Sequence, residues 1–283
     1  MTSETRLGEI VTALESVGIS SLVMGGHAVR FYGLSRNTND FDLHVAPGSW
    51  DTLALRLGRC SLFASPDLPE GPSWRAHAFR RFRIGTLPDG ADEWLEFWRE
   101  NHLLAPFDEL LTRAQSGRYG SRDISFLGLS DLIRSKETER EKDWDDVSRL
   151  EEFLDTRLFA QIGREEIAVP AALAQLRSRA GFGTYFLNRT LTNGGNVAVA
   201  LASTHNPVTQ AYLTPFAPLV EFSPHSVFPI EPVVLGRLRT LQGGSPLHLS
   251  LVEVVRRRYI QFRKDADRRD KEAILARLGP RDR

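Results

Sequence analysis

The sequence predicts an α+β (α/β) fold in which a short mixed sheet flanked by helices occupies residues 1–155 and a mainly helical region follows over 156–283. Three observations predict it. Leu7, Ile10, Val11, Leu14 and Val17 recur at helical spacing. Phe41, Leu43 and Val45 alternate with Asp40, Asp42 and His44 at the two-residue period of a strand. Beyond about residue 155 strand patterns fade and helical ones alternate with loops.

In chain order, the first helix ends at Gly18. Ile19 to Met24 is a short apolar run, read as a strand that enters a tight turn at Gly25-Gly26. His27 to Tyr32 reads as a short helix closed by Gly33, and the strand holding Asp40 and Asp42 follows. Trp50 to Leu57 is expected to be helical, and Ser65 to Ser73 a loop marked by Pro66, Pro69, Gly71 and Pro72. Trp74 to Ile84 and Glu93 to Trp98 read as two strands joined by a turn at Pro88-Asp89-Gly90. Pro106 to Gln115 resembles a helix and Asp123 to Leu127 a strand. Ser130 is a candidate N-cap for a helix carrying Leu132, Ile133 and Lys136, and a second helix carries Trp144, Val147, Leu150 and Phe153. Gly181 to Pro229 is rich in Gly, Thr, Asn, Ser and Pro and has no clear pattern; Leu247 to Leu278 reads as helix.

Lys+Arg and Asp+Glu both total 36, so any contact with nucleic acid must come from a local patch. No apolar run approaches the roughly 18 residues of a membrane span, and the first residues, Met1 to Arg6, lack the pattern of a signal peptide. Cys60 is the single cysteine, which excludes an internal disulfide and a cysteine zinc cluster. These features imply a cytoplasmic protein without a membrane partner.

The chemistry concentrates in residues 25–43. A glycine pair after a strand leaves backbone amides free to approach a phosphate. After thirteen intervening residues comes Asp40-Phe41-Asp42, whose carboxylates share one strand face. Two like charges so close call for a cation between them. Magnesium suits hard oxygens shared with substrate phosphates, and two such ions can serve an in-line displacement.

This stretch resembles the DNA polymerase β-like nucleotidyltransferase superfamily. The form Arg36-x-Thr38-x-Asp40-x-Asp42 is similar to the minimal nucleotidyltransferases grouped with AbiEii-type toxins, as are Asp131-Leu132-Ile133 with Lys136 and the later Lys142-Asp143 with Asp146. The resemblance covers roughly residues 7–155. It implies that Gly25 and Gly26 hold the triphosphate, that Arg36 and Thr38 support the nucleotide-binding loop, and that Asp40 and Asp42 bind metal. Lys136 would face phosphate or organise the site, with Asp143 in a supporting role. It also implies a third acid on a neighbouring strand. Glu96 is the candidate, because it interrupts the apolar run Trp94 to Trp98, where a carboxylate needs a partner.

Together these residues point to a magnesium-dependent nucleotidyltransferase with two Mg2+ ions, Mn2+ being a substitute. It would move a nucleotidyl group from a nucleoside triphosphate to an RNA end, a protein side chain or a small molecule. The resemblance adds the setting of a toxin with an antitoxin partner. The alternative is a catalytically impaired module that binds nucleotide or a protein partner, motivated by Gly-Gly where many catalytic members have Gly-Ser. A metal-dependent phosphohydrolase is a third reading. His27 and His44 read as packed or surface residues, Cys60 as a buried small residue, and Trp94, Trp98 and Trp144 as core. The basic stretch Leu251 to Arg283 could meet RNA phosphates, but reads better as a solvated helix with internal ion pairs.

Overall fold

The computed structural model describes residues 2–60, 78–87, 90–166 and 246–277. The expected loop Ser65–Ser73, the start of the strand expected from Trp74, part of the turn at Pro88-Asp89-Gly90 and the segment Gly181–Pro229 lie outside the described residues.

Helix α1 spans Ser3–Ser16; Thr2 caps it by accepting a hydrogen bond from the Thr5 amide at 3.3 Å. Its buried stripe is Leu7, Ile10, Val11 and Leu14, the residues whose spacing marked the helix. Strand β1 (Ser21–Val23) leads into α2 (Gly25–Phe31), and β2 (Asp40–Val45) follows. A single 3-10 turn at Pro47–Ser49 precedes α3 (Leu53–Leu57), so the helix expected from Trp50 starts later, after that turn.

Strands β3 (Phe79–Thr86) and β4 (Asp92–Trp98) form a hairpin. Helix α4 covers only Phe107–Arg113; Gln115, expected at its end, opens β5 (Gln115–Tyr119), which pairs with β6 (Arg122–Phe126). Helix α5 (Leu129–Ser135) has Gly128 as its N-cap, two residues earlier than the expected Ser130, which is exposed inside the helix. Helices α6 (Glu141–Gly163) and α7 (Pro246–Arg277) follow. Among the described residues, no helix is long and apolar enough to cross a membrane.

The six strands form one mixed sheet in the order β3-β4-β2-β1-β6-β5, and with the flanking helices the architecture is α+β. Strand β1 runs antiparallel to β2 and parallel to β6, while β2 and β4 run parallel. This topology has a positional consequence. The exits of β1 and β6 and the entrance of β2 all lie at one end of the sheet. Gly25, the start of α5 and Asp40 therefore gather there. Leu22, Leu43, Leu95, Phe97 and Phe126 are fully buried and make the centre of the core.

The chain divides into two compact units. One comprises residues up to Thr138 together with Asp267–Arg283; the other runs from Glu139 to Ala266. In the first, Asp267 is fully buried and bonded to His102 at 2.6 Å and to Lys271 at 2.7 Å. In the second, Arg140 grips buried Asp143 through bonds of 2.9 and 3.0 Å, and Lys264 pairs with Glu141.

Candidate functional site

Three strands build the site. Because β2 and β4 are parallel and in register, Asp42 lies opposite Glu96 and Asp40 opposite Trp94. Across the hairpin, Arg81 lies opposite Glu96 and Arg83 opposite Trp94. Strand alternation then puts Asp40, Asp42, Trp94, Glu96 and Arg81 on one face, and Phe41, Leu43, Leu95, Phe97 and Phe82 on the other.

Asp42 and Glu96 are hydrogen-bonded carboxyls. Glu96 is largely buried, and its pKa is raised to about 8 by that burial first, then by the charges of Asp42 and Asp40, against the opposing pull of Arg81. The Arg81 Nε stands 3.0 Å from Glu96 Oε1 as an ion pair without hydrogen-bond geometry; the guanidinium reaches Asp40 Oδ1 at 3.7 Å and lies over the Trp94 ring, 3.9 Å from its centroid.

Two glycines set the other wall. Gly25 has φ +63°, a left-handed conformation that side chains rarely adopt, and a Cβ built on it would fall inside the Asp42 carboxylate. A Cβ on Gly26 would stand 2.5 Å from the Thr38 Cβ. Thr38 in turn donates its hydroxyl to the Asp40 carbonyl at 3.1 Å, which fixes the approach to β2. The backbone closes the same junction: the Met24 amide donates to the Asp42 carbonyl at 2.9 Å.

The structure thus brings Gly25, Gly26, Thr38, Asp40, Asp42 and Glu96 together. Arg36 is half-buried in the loop before Thr38. Lys136 is buried at the C-cap of α5, whose neighbour is α2. Asp143 is buried on Arg140, and Lys142 is exposed. Trp98 and Trp144 are core residues, whereas Trp94 is half-exposed beneath Arg81. Cys60 is buried, its thiol 3.1 Å from the Ala13 carbonyl.

Both histidines are buried. His27 stacks on Phe41 at 4.9 Å and bonds Tyr119 through Nδ1 at 3.0 Å. His44 packs near Phe107; neither ring nitrogen makes a well-formed hydrogen bond, although the ring lies within reach of the Val45 backbone. Burial lowers both pKa values to about 4; for His27 the charge of Asp42 opposes the shift, and for His44 the Val45 backbone and Glu100 do.

Arg81 is the residue that sequence reading passed over. Its signal was present: Arg81 and Arg83 alternate on an expected strand, which puts both cations on one face.

The donor set suits a hard cation. Among the described residues no three His, Cys, Asp or Glu side chains form a preformed metal cage, and Asp40 leans toward Arg81. Magnesium does not need such a cage, since one or two carboxylates plus phosphate oxygens and water complete its shell. The adjacent Asp42 and Glu96 carboxyls meet that requirement.

No family model and no curated protein matches the chain. Two solved structures are similar in part. One is an antigenic nucleotidyltransferase-like protein from Paracoccidioides brasiliensis, at 17% identity over 52% of this chain and 74% of that one, with a TM-score of 0.35. The other is the lincosamide antibiotic adenylyltransferase LnuA bound to lincomycin, at 14% identity over 54% of this chain and 98% of that one, with a TM-score of 0.39. At these scores neither likeness decides the chemistry.

Proposed function

We propose that this chain is a magnesium-dependent nucleotidyltransferase, which moves a nucleotidyl group from a nucleoside triphosphate to an acceptor and releases pyrophosphate. One observation carries the reading: a side-chain-free turn at Gly25-Gly26 abuts Asp42, whose carboxyl is bonded to Glu96 on the next strand. A glycine turn leaves room for phosphate beside the acids, and the acids supply hard oxygens beside the phosphate.

Asp40, Asp42 and Glu96 would hold the two metal ions, or Mn2+ in their place. The ions, when bound, neutralise charge on the triphosphate and favour in-line displacement. Gly25 and Gly26 offer amides to phosphate, Thr38 and Arg36 hold the loop that carries Asp40, and Lys136 supplies a positive charge near the end of α5. Glu96, with its raised pKa, is suited to exchange a proton as charge builds in the site. Most of the rate enhancement would come from positioning and from neutralised charge.

Incubation with each labelled triphosphate, Mg2+ and total cellular RNA, protein or small molecules tests this reading. The expected result is incorporation that disappears in Asp40→Ala. Tight nucleotide binding without transfer would establish the impaired binding module instead. Release of phosphate with no acceptor labelled would establish a phosphohydrolase. The resemblance to toxin-type nucleotidyltransferases adds the setting of a toxin–antitoxin pair in the cytoplasm. A small neighbouring reading frame whose product binds this chain and blocks the labelling is the expected companion.

A further inference from the structure

One side-chain repeat beyond Asp42, on the same face of β2, stands His44. There the structure opens into a cavity of about 420 Å3. Its walls come from residues 99–107 between β4 and α4, from Pro47 and Ala78, and from the last turns of α7. The body is apolar, with Leu104, Phe107 and Ile274 among its walls. The charged residues Arg99, Glu100 and Arg277 all keep solvent exposure, and Arg99 pairs with Glu100 at 3.4 Å. This size is that of pockets for nucleoside- to drug-sized molecules.

His44 marks the cavity as more than a packing fault. The residue is only 1% exposed and lines the cavity; one ring nitrogen is turned to the Val45 backbone without a well-formed hydrogen bond, and the other has no partner. Buried polar groups are nearly always satisfied, so a lone imidazole facing a cavity calls for a partner from outside the chain. Arg99 and Glu100 offset each other, and the exposed Arg277 is screened by water, so the apolar walls decide the guest and favour an uncharged one. Along an extended strand His44 and Asp42 stand about 7 Å apart. A guest anchored on the imidazole can therefore span back toward the carboxylates.

We propose that this cavity binds a small uncharged alcohol with an apolar body, anchored by a hydrogen bond to His44, and that this alcohol is the nucleotidyl acceptor. The acceptor role deepens the nucleotidyl-transfer reading and rests on it; the binding site does not. In the transfer, the alcohol oxygen forms a bond to the α-phosphorus of the triphosphate. The bond from that phosphorus to the bridging oxygen breaks, and pyrophosphate leaves with the electron pair. The hydroxyl proton passes to a carboxylate of the acidic cluster.

The test uses the full chain and 4-(2-hydroxyethyl)phenol, a neutral probe with a hydrogen-bonding group at each end. Phenylacetate and phenethylamine serve as anionic and cationic controls, and binding is followed by ligand-observed NMR titration. The expected result is saturable binding of the neutral probe, weakened at least about tenfold in His44→Phe and in the cavity-filling Leu104→Trp. His44→Gln keeps a hydrogen-bonding group and retains the probe, and Asp42→Asn leaves binding unchanged. The site is overturned if the neutral probe does not bind, if a charged control binds more tightly, or if His44→Phe and Leu104→Trp bind as the parent does. A separate readout decides the acceptor role. Labelling of RNA or protein that proceeds as well in His44→Phe as in the parent overturns it while leaving the enzyme reading intact. Probe binding without any nucleotidyl transfer leaves the cavity standing and fails the enzyme reading.

Discussion

On one face of the β2–β4 pair, Phe41, Leu43, Leu95 and Phe97 are sealed from water. On the other, Asp42 and Glu96 face each other across the same two strands, with Asp40, Arg81 and Trp94 beside them. The backbone hydrogen bonds are shared, so the difference lies in what the side chains do to the fold. The apolar face lowers the free energy of folding by removing surface from water. The acidic face raises it, because burial and the neighbouring Asp42 and Asp40 charges disfavour the charged form of Glu96. Residues that a fold would be more stable without are the ones to suspect of chemistry.

That contrast can be broken in four places. Asp42→Asn acts on the acidic face: labelled-nucleotide incorporation is expected to fall about a thousandfold or more, while the thermal midpoint of the metal-free protein holds or rises. A fall in that midpoint would show that the acids support the fold. Phe97→Ala acts on the apolar face. It is expected to cost about 3–5 kcal/mol in a urea unfolding curve, through lost burial and the cavity left behind.

Glu96→Gln sharpens the comparison through pH. The Glu96 pKa stands at about 8 in the folded protein, against 4.5 for the unfolded chain, so between those values the folded state holds the extra proton and stability falls as pH rises. The pKa values of His27 and His44, lowered from 6.5 to about 4, act in the opposite sense, and stability rises with pH across that lower window. From pH 6.5 to 8 the Glu96 slope therefore stands apart from the histidines. The metal-free protein is expected to lose about 2–6 °C of thermal midpoint across that window, and Glu96→Gln to flatten the loss. The smallest effect belongs to Arg81→Gln. Arg81 is over a third exposed, so its loss is expected to change stability by less than about 1 kcal/mol in the same urea assay. A larger cost would mean that the guanidinium holds the acidic face together.

The apolar alternation of β2 was easy to read because one face of that strand is buried and the other is not. Glu96 was legible as a candidate because a carboxylate in an apolar run needs a partner, but its register opposite Asp42 came only with the parallel β2–β4 pairing. Strand β5 was missed, and its residues explain why: in Gln115-Ser116-Gly117-Arg118-Tyr119 only Tyr119 is fully buried, so an edge strand of this kind carries no apolar rhythm. The N-cap of α5 was displaced to Gly128 because the turn leaving β6 starts the helix earlier, with Arg113 gripping Asp131. The cavity beside His44 lay beyond any local pattern. Its walls are drawn from residues more than 200 positions apart in the chain, and only the folded arrangement brings them together.

His102 and Asp267 are separated by 165 residues, yet their side chains meet at 2.6 Å with the aspartate wholly enclosed. This pair acts as a clasp between a late part of the chain and the segment that frames the cavity. A premature stop shortly before residue 267 would remove the cavity's far wall and the carboxylate that His102 holds, although every acid of the β2–β4 face would still be translated. Loss of function from such a lesion would then trace to a missing lining rather than to missing chemistry.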